Sequence, residues 1–546
     1  MIKRTVLATA VAALALPTVN AAPFQPMDAR GLAMGNTGVA SAMRAHAPAY
    51  NPSMLAQEFG KDGFAILLPQ VGVSVSDERE MIDTAQDIAD LIFPRFEDAV
   101  MSNNSTNNLE DSVADLKTAI DNLETALSGL SSSTPSDVNA AIADLQNKNT
   151  ALGTAAGNVQ TSLGTVDTVT KEMTSALESI SGSPLAAKIG LGSTIAIPSK
   201  TFSTAISFSG NANISARVNF SDKDTGLLNA YAPAASGYVV QAQNLSGNLG
   251  STLDNITNSN DNDAQKISNL KDAINGTGGS TGLKDDAENL KTYTSQNVGA
   301  LNNTPIIENG ALTAGASDPD LNSSVEVVAV AIAEVGLSFA SEFDIAGQQI
   351  AFGITPKIQK ISTFHYGDEV DGFEDVESDD LKDSQLDYTD FNIDIGASYR
   401  FGEDKNWMTG VVVKNLLGGS YKYQDVQTQS AYLPGGKVNL NPQVRGGIAY
   451  HSKWFNAAFD LDLIKNKAVA YEAETQYASL GVELDVFRTL QLRAGYRTNL
   501  VSGGTDVVTA GFGLSPFGVH IDVAAMANPS DYLREAGAVM DLGFYF

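Results

Sequence analysis

Cysteine is absent from all 546 residues. That excludes a disulfide framework, a thiolate nucleophile and a thiolate metal site. Basic residues are scarce: 34 Lys and Arg stand against 63 Asp and Glu, a formal charge of −29. A balance of that sign argues against nucleic acid as a partner. Long apolar runs are missing as well. No segment approaches the roughly eighteen consecutive apolar residues of a membrane-crossing helix. A transmembrane barrel escapes that exclusion, because half of each strand faces a polar lumen.

The two chain ends carry the first positive signals. Met1 to Arg4 is a short basic stretch, Thr5 to Leu16 is apolar, and Val19-Asn20-Ala21 fits a small-residue cleavage site. Residues 1–21 are therefore expected to be a cleaved signal peptide, with the mature chain starting at Ala22. Position 22 is not Cys, so this is not a lipoprotein signal. At the other end, Ala536, Ala538, Met540, Leu542, Phe544 and Phe546 alternate with Gly537, Asp541 and Gly543. That is a period-two strand long enough to cross a bilayer at a tilt. It resembles the terminal strand by which bacterial outer-membrane barrels are recognised and closed. Phe544 and Phe546 would then be read by the barrel assembly machinery. The outer membrane of a Gram-negative bacterium is the expected compartment, with its lipid as a partner.

Alternation continues upstream. Phe391, Ile393, Ile395, Ala397 and Tyr399 interleave with Asn392, Asp394, Gly396, Ser398 and Arg400. Leu480, Val482, Leu484 and Val486 interleave with Gly481, Glu483 and Asp485. A soluble sandwich has the same period, but the signal sequence, the terminal Phe and turns alternating short with long favour a barrel. About fourteen antiparallel strands are expected, an even count as bacterial single-chain barrels require. They fall near 63–75, 188–198, 202–220, 325–345, 348–365, 387–401, 406–418, 440–452, 454–464, 474–486, 489–499, 506–515, 518–527 and 535–546. Connections such as 198–200, 345–347 and 452–453 are tight and would be periplasmic. Longer ones, including 366–386, 419–439 and 465–473, would face outside.

The barrel, 61–546, is interrupted by two helical insertions, 78–182 and 222–322. In the first, Leu109, Val113, Leu116, Ile120, Leu123, Leu127 and Leu130 repeat at steps of four and three. The pattern restarts at Val138, after a credible helix start at Thr134-Pro135-Ser136-Asp137. Such spacing means a coiled-coil-like seam. The second helix, roughly 45 residues at about 1.5 Å each, would extend about 65 Å. The second insertion repeats the theme through Leu245, Leu249, Leu253 and Ile256. Strand parity puts both on one side, expected to be extracellular. The insertions read either as a surface stalk that touches a partner or as elaborated loops packed on themselves.

Residues 22–60 form a Gly/Ala-rich segment. Asp28-Ala29-Arg30-Gly31-Leu32-Ala33-Met34-Gly35-Asn36-Thr37-Gly38 leads into Ala47-Pro48-Ala49-Tyr50-Asn51-Pro52-Ser53. This resembles the start of the FadL superfamily of outer-membrane transporters for hydrophobic molecules, although Ser53 stands where that family's motif has Ala. The resemblance implies a hatch that plugs a fourteen-stranded barrel, and Gly31, Gly35, Gly38, Asn51, Pro52 and Ser53 would line the ligand pathway. A closer resemblance is to the outer-membrane branch labelled conjugal-transfer TraF. It rests on Thr355-Pro356-Lys357, Val413-Lys414-Asn415-Leu416, Leu492-Arg493-Ala494-Gly495-Tyr496-Arg497 and Gly511-Phe512-Gly513-Leu514-Ser515-Pro516-Phe517-Gly518. Physically, glycines let backbones pack closely inside a barrel, and Asn51-Pro52 favours a turn. The Gly-Lys-Ser/Thr of a phosphate loop is missing.

Reactive chemistry is sparse. His520 and Asp522 share a strand face, but lumenal hydrogen bonding is the better reading than catalysis, and no enzyme is expected. Asp460, Asp462, Glu483, Asp485, Arg493 and Arg497 lie on neighbouring strands and would form a polar lumen network of ion pairs. Asp368, Asp371, Glu374 and Asp375 cluster in one loop, a candidate divalent-cation site or simply a solvated acidic loop. No cofactor is implied. The sequence thus points to a monomeric barrel passing a hydrophobic small molecule past a hatch. The alternative is a surface protein acting in conjugation or cell contact through its helices.

Overall fold

The computed structural model describes residues 26–57, 64–77, 79–101, 108–199, 202–277, 280–317, 322–369, 382–429, 431–466, 470–487, 489–501 and 504–545. The expected signal peptide, the loop carboxylates Asp371, Glu374 and Asp375, and the terminal Phe546 lie outside them. The chain divides into two compact units.

The first unit is a closed barrel of fourteen antiparallel strands. They are β1 (Ala65–Ser76), β2 (Pro184–Ile197), β3 (Ser203–Asn219), β4 (Ser324–Ile345), β5 (Gln348–Glu369), β6 (Leu386–Phe401) and β7 (Trp407–Lys414). The remainder are β8 (Gln443–His451), β9 (Phe455–Asp462), β10 (Tyr477–Val486), β11 (Leu490–Asn499), β12 (Asp506–Leu514), β13 (Val519–Ala527) and β14 (Glu535–Tyr545). Every strand pairs with its sequence neighbours, and β1 pairs with β14 to close the ring, Ala65 opposite Tyr545 and Ser76 opposite Glu535. Closure leaves no unpaired edge, as a lipid environment demands.

Period-two sequence becomes two faces. Along β5, Thr355, Lys357, Gln359, Ile361, Thr363 and His365 are buried inside, while Phe352, Ile354 and Ile358 are exposed outside. Around the ring Val335, Leu337, Phe391, Phe459, Leu480, Leu492, Phe512 and Met540 continue the outer apolar belt. Such a belt over a polar interior suits a barrel in a bilayer. β1 has a register break after Leu67 on both sides, resuming at Gln70 against β2 and at Val71 against β14. Pro69, which cannot donate to a ladder, sits in that bulge.

One long connection, 419–439, expected on the outer side, has a feature the sequence reading did not include: it folds back over the inner wall. Tyr421, Val438 and Leu440 bury against Val328, Val330, Ile332 and Ile361. The Lys422 carbonyl accepts from Thr363 Oγ1 at 2.7 Å and from Tyr388 Oη at 3.0 Å. Strand periodicity cannot show this, because the contacts lie between a loop and residues about 60 to 110 positions upstream.

The second unit holds residues 84–179 and 220–323. Its long helices are Leu109–Ser132, Val138–Ile180 and Asp222–Thr257. Asn108 caps the first, accepting from the Asp111 amide at 2.7 Å. Asp137 starts the second, its Oδ1 accepting from Asn139 and Ala140 amides at 2.9 and 3.0 Å. Asn262 and Gln265 form a reciprocal capping box on Asp263–Asn275. The heptad positions are buried in a core that joins both insertions: Leu116, Leu123 and Leu152 with Leu249, Leu253, Leu270 and Leu290. Neither insertion packs only on itself; each buries its apolar stripe against the other.

Candidate functional site

The N-terminal segment fills the barrel lumen. Its helix Ala29–Ala33 is wholly buried, capped by Asp28 through the Gly31 amide at 2.7 Å. Tyr50 Oη donates to the other Asp28 oxygen. Burial, with the Asp28 charge beside it, pushes the Tyr50 hydroxyl well above the ordinary phenol range, so it stays a neutral donor.

Backbone approach sets how the segment seats. Gly35 has φ +71, and a side chain there would come within 2.7 Å of the Tyr496 carbonyl and 2.9 Å of the Leu480 carbonyl. A Cβ at Gly31 or Gly38 would overlap Tyr50. The wall supplies matching glycines. A Cβ at Gly481 would strike Met34, and one at Gly495 would strike the Gly35 amide. Gly353 and Gly396 give the same room to Pro52 and Asn51. The plug and its socket therefore touch backbone to backbone.

Polar side chains fix the register. Asp460 Oδ2 accepts from the Gly38 and Val39 amides at 2.8 and 3.0 Å. Arg30 chelates Glu483 and donates to the Ser41 carbonyl at 2.6 Å. Glu483 also accepts from Arg493 Nε at 2.7 Å, and Arg493 continues to Asp522. Arg497 donates to Asn36 Oδ1 at 2.8 Å and pairs with Glu535. Asp462 pairs with Arg445, Nε to Oδ1 at 2.6 Å. Asn51 Nδ2 donates to Val39 O at 2.9 Å, while its Oδ1 accepts from the Ser53 amide and hydroxyl. Ser53 Oγ then reaches Ser398 at 2.9 Å.

The residues read from sequence thus separate. Gly31, Gly35, Gly38, Asn51, Pro52 and Ser53 all lie in the plug. Asp460, Asp462, Glu483, Arg493 and Arg497 are buried around it: Asp460, Glu483 and Arg497 contact the plug directly, whereas Asp462 and Arg493 pair along the wall with Arg445 and with Glu483 and Asp522. Asp485 stands apart, accepting from Gln491 Nε2 at 3.3 Å. Asp368 is the penultimate residue of β5, where Tyr366 Oη donates to it at 3.1 Å. Phe544 pairs across from Ile66 and Val519. His520 and Asp522 do not act together: the imidazole lies on Tyr545, centroids 4.3 Å apart, and the carboxylate belongs to Arg493. Sequence reasoning missed Asp28, Arg30, Asn36, His46, Arg445 and Asp541. A charged residue inside a Gly/Ala-rich segment was the available signal at Asp28 and Arg30.

Between the plug and the infolded loop lies a cavity of about 110 Å³. Pro26, Met27 and Pro48 bound it on one side, Leu440 and Gln443 on another. Its wall includes Leu191, Phe208 and Ile332, together with Glu334, Lys357, Asp394 and Lys414. Those charges satisfy one another: Lys357 Nζ stands 3.1 Å from Glu334 and 3.0 Å from Asp394.

A family described as "F plasmid transfer operon, TraF, protein" matches residues 48–462, which run from the plug through β9 and include both insertions. That is more than half of the chain. The chain belongs to this family. Among solved structures, the Pseudomonas putida toluene transporter TodX aligns at 11% identity and TM-score 0.40, over 96% of this chain and 99% of that one. The Ralstonia pickettii toluene transporter TbuX aligns at 9% and 0.39, with the same shares. A Pseudomonas aeruginosa FadL homologue gives 9% and 0.39, again over 96% and 99%. No curated protein matches. With similarity this low, the fourteen-stranded description rests on the strand pairing itself.

Proposed function

We propose that this TraF-family barrel lies in the outer membrane and passes a small, largely apolar molecule through its lumen, the N-terminal plug acting as gate. The cavity between plug and infolded loop carries this reading. It is a partly open compartment bounded by both, of the order that accommodates one benzene-sized ring. Its charged wall is internally paired, so the uncharged surface offered to a ligand is mixed: Met27, Ile332 and Leu440 beside Gln70, Ser207, Asn211 and Thr355, with the outward-facing Leu191 and Phe208 at its margin. The outer apolar belt and the short turns on one rim support a bacterial outer membrane.

The test is entry of radiolabelled toluene into cells lacking their own such channels, with the full-length chain expressed. The expected result is uptake faster than the empty-vector control, lowered several-fold by Ile332→Lys, which puts a charge on the uncharged part of the wall. Uptake equal to the control in cells with correctly folded barrel would overturn the reading.

A second reading draws on the helical unit. Residues 84–179 and 220–323 form a compact unit with an apolar core of its own. The family description names a transfer operon, so a role in contact between cells, exerted by this unit, is the alternative. Deleting both insertions separates the two: lost conjugal transfer with unchanged toluene entry would favour the surface role.

A further inference from the structure

One histidine and two carboxylates converge at a point between the plug and the last strand. Asp28 and His46 come from the plug and Asp541 from β14; their donor atoms lie within 4.8 Å of one another. The three residues are 2%, 5% and 2% exposed. His46 Nε2 stands 3.8 Å from Asp28 Oδ1 and 3.8 Å from Asp541 Oδ2. Those separations are too long for hydrogen bonds. They are slightly wider than the edge of a tetrahedron with metal bonds of about 2.0–2.1 Å.

Two of these side chains also keep an unpartnered polar atom: His46 Nδ1 and Asp541 Oδ1, the other atom of each group from the Nε2 and Oδ2 that face one another. Among the described residues, no Lys or Arg stands within ion-pair distance of Asp28 or Asp541; His46 alone approaches them. Two buried carboxylates without a fixed cation are costly unless something neutralises them. The surroundings meanwhile hold both carboxylates in place. Asp28 accepts from the Gly31 amide and Tyr50 Oη, and Asp541 Oδ2 accepts from the Ala29 amide at 2.7 Å and Gln70 Nε2 at 3.2 Å. Outer contacts of this kind orient metal ligands.

We propose that Asp28, His46 and Asp541 bind a divalent metal ion, zinc, that pins the plug to the closing strand of the barrel. An imidazole with two carboxylates is a donor set that zinc accepts. The ion's charge balances the two carboxylates, and three protein donors leave a fourth position for water. Because one ligand sits on the strand that closes the ring against β1, the ion joins the plug to the barrel seam. The site is independent of whether a ligand passes.

The experiment uses the full-length chain in detergent, stripped with a chelator and then equilibrated with zinc chloride or cobalt chloride. One zinc per chain retained after gel filtration, and visible absorption of four-coordinate cobalt, are the expected results. Asp541→Asn and His46→Gln, checked as folded by heat-modifiable gel migration, should each weaken zinc binding at least tenfold. Asp460→Asn, which touches the plug elsewhere, should not. Wild-type protein that retains no zinc and gives no cobalt spectrum would overturn the proposal and leave a proton on His46 as the occupant. That wild-type arm decides the matter even if a variant misfolds. Equal weakening by Asp460→Asn would also overturn it, since the loss would then follow plug loosening in general.

Discussion

The Arg30 guanidinium closes on both oxygens of the Glu483 carboxylate, Nε 2.9 Å from Oε2 and Nη2 3.1 Å from Oε1, across 453 residues of sequence. Both side chains are buried. Their contributions are unequal, however, because Glu483 is shared. Arg493 and Asn456 also donate to it, at 2.7 and 2.6 Å. Arg30→Ala would leave Glu483 with a cation. Glu483→Gln would leave Arg30 buried with no carboxylate in contact, a loss of about 3–5 kcal/mol for a broken buried pair. Glu483→Gln should therefore loosen the plug more than Arg30→Ala does. Single-channel conductance in planar bilayers checks the order: more frequent open events for Glu483→Gln, fewer for Arg30→Ala, fewest for wild type.

Plug seating also rests on missing side chains. A Cβ at Gly495 would meet the Gly35 amide, and backbone cannot step aside as a flexible side chain can. Gly495→Val should yield a barrel that closes but cannot seat its plug. Gly446→Ala is the matched control, because its Cβ would meet nothing nearer than Leu463 at 3.6 Å. Limited proteolysis of the folded proteins should cut within residues 26–57 of Gly495→Val and spare that segment in Gly446→Ala.

Strand positions were legible because the barrel writes them into local sequence. Inside and outside alternate at every step, so Phe352, Ile354 and Ile358 declare one face of β5 and Thr355, Lys357 and Gln359 the other. The plug was legible as glycine spacing, though not its partners. Asp460 reads as one more lumenal carboxylate; that it holds the Gly38 and Val39 amides depends on a contact 421 to 422 residues away. The infolding of residues 419–440 left no periodic trace for the same reason. Asp541 was hidden differently. Between apolar neighbours in a terminal strand it looks like an ordinary inward polar residue, and only the arrival of His46 and Asp28 gives it a role.

Two tyrosines make the helical unit sensitive to alkali. Burial raises the hydroxyls of Tyr231 and Tyr238 above the ordinary phenol value, with the Asp121 charge adding to it at Tyr238. A folded-state value above the unfolded one of about 10 means full stability below that pH, lost as pH rises toward the folded values. Helical circular dichroism should therefore fall above about pH 10. Tyr238 Oη has no hydrogen-bond partner, and the ring stacks on Tyr293 at 4.9 Å. Tyr238→Phe keeps the stack and removes a titrating group. It should leave stability at pH 7 unchanged or slightly higher and move the alkaline transition upward.

The shared core of the two insertions predicts an inverted deletion series. Leu245, Leu249, Leu253 and Ile256 of the second insertion are at most 5% exposed, and their cluster includes Leu116, Ile120 and Leu123 of the first. Removing residues 84–179 alone would uncover that stripe, at about 1.5–3 kcal/mol for each large apolar side chain returned to water. Removing 220–323 alone would do the same to the first insertion. Removing both takes away the whole cluster and exposes neither half. The double deletion should accordingly express as a heat-modifiable barrel at near wild-type yield, whereas each single deletion should aggregate or be degraded. Should either single deletion match the double in yield and folding, the two insertions would have to be independently stable. The burial of Leu249 at 0% and Leu123 at 0% within one cluster argues directly against that.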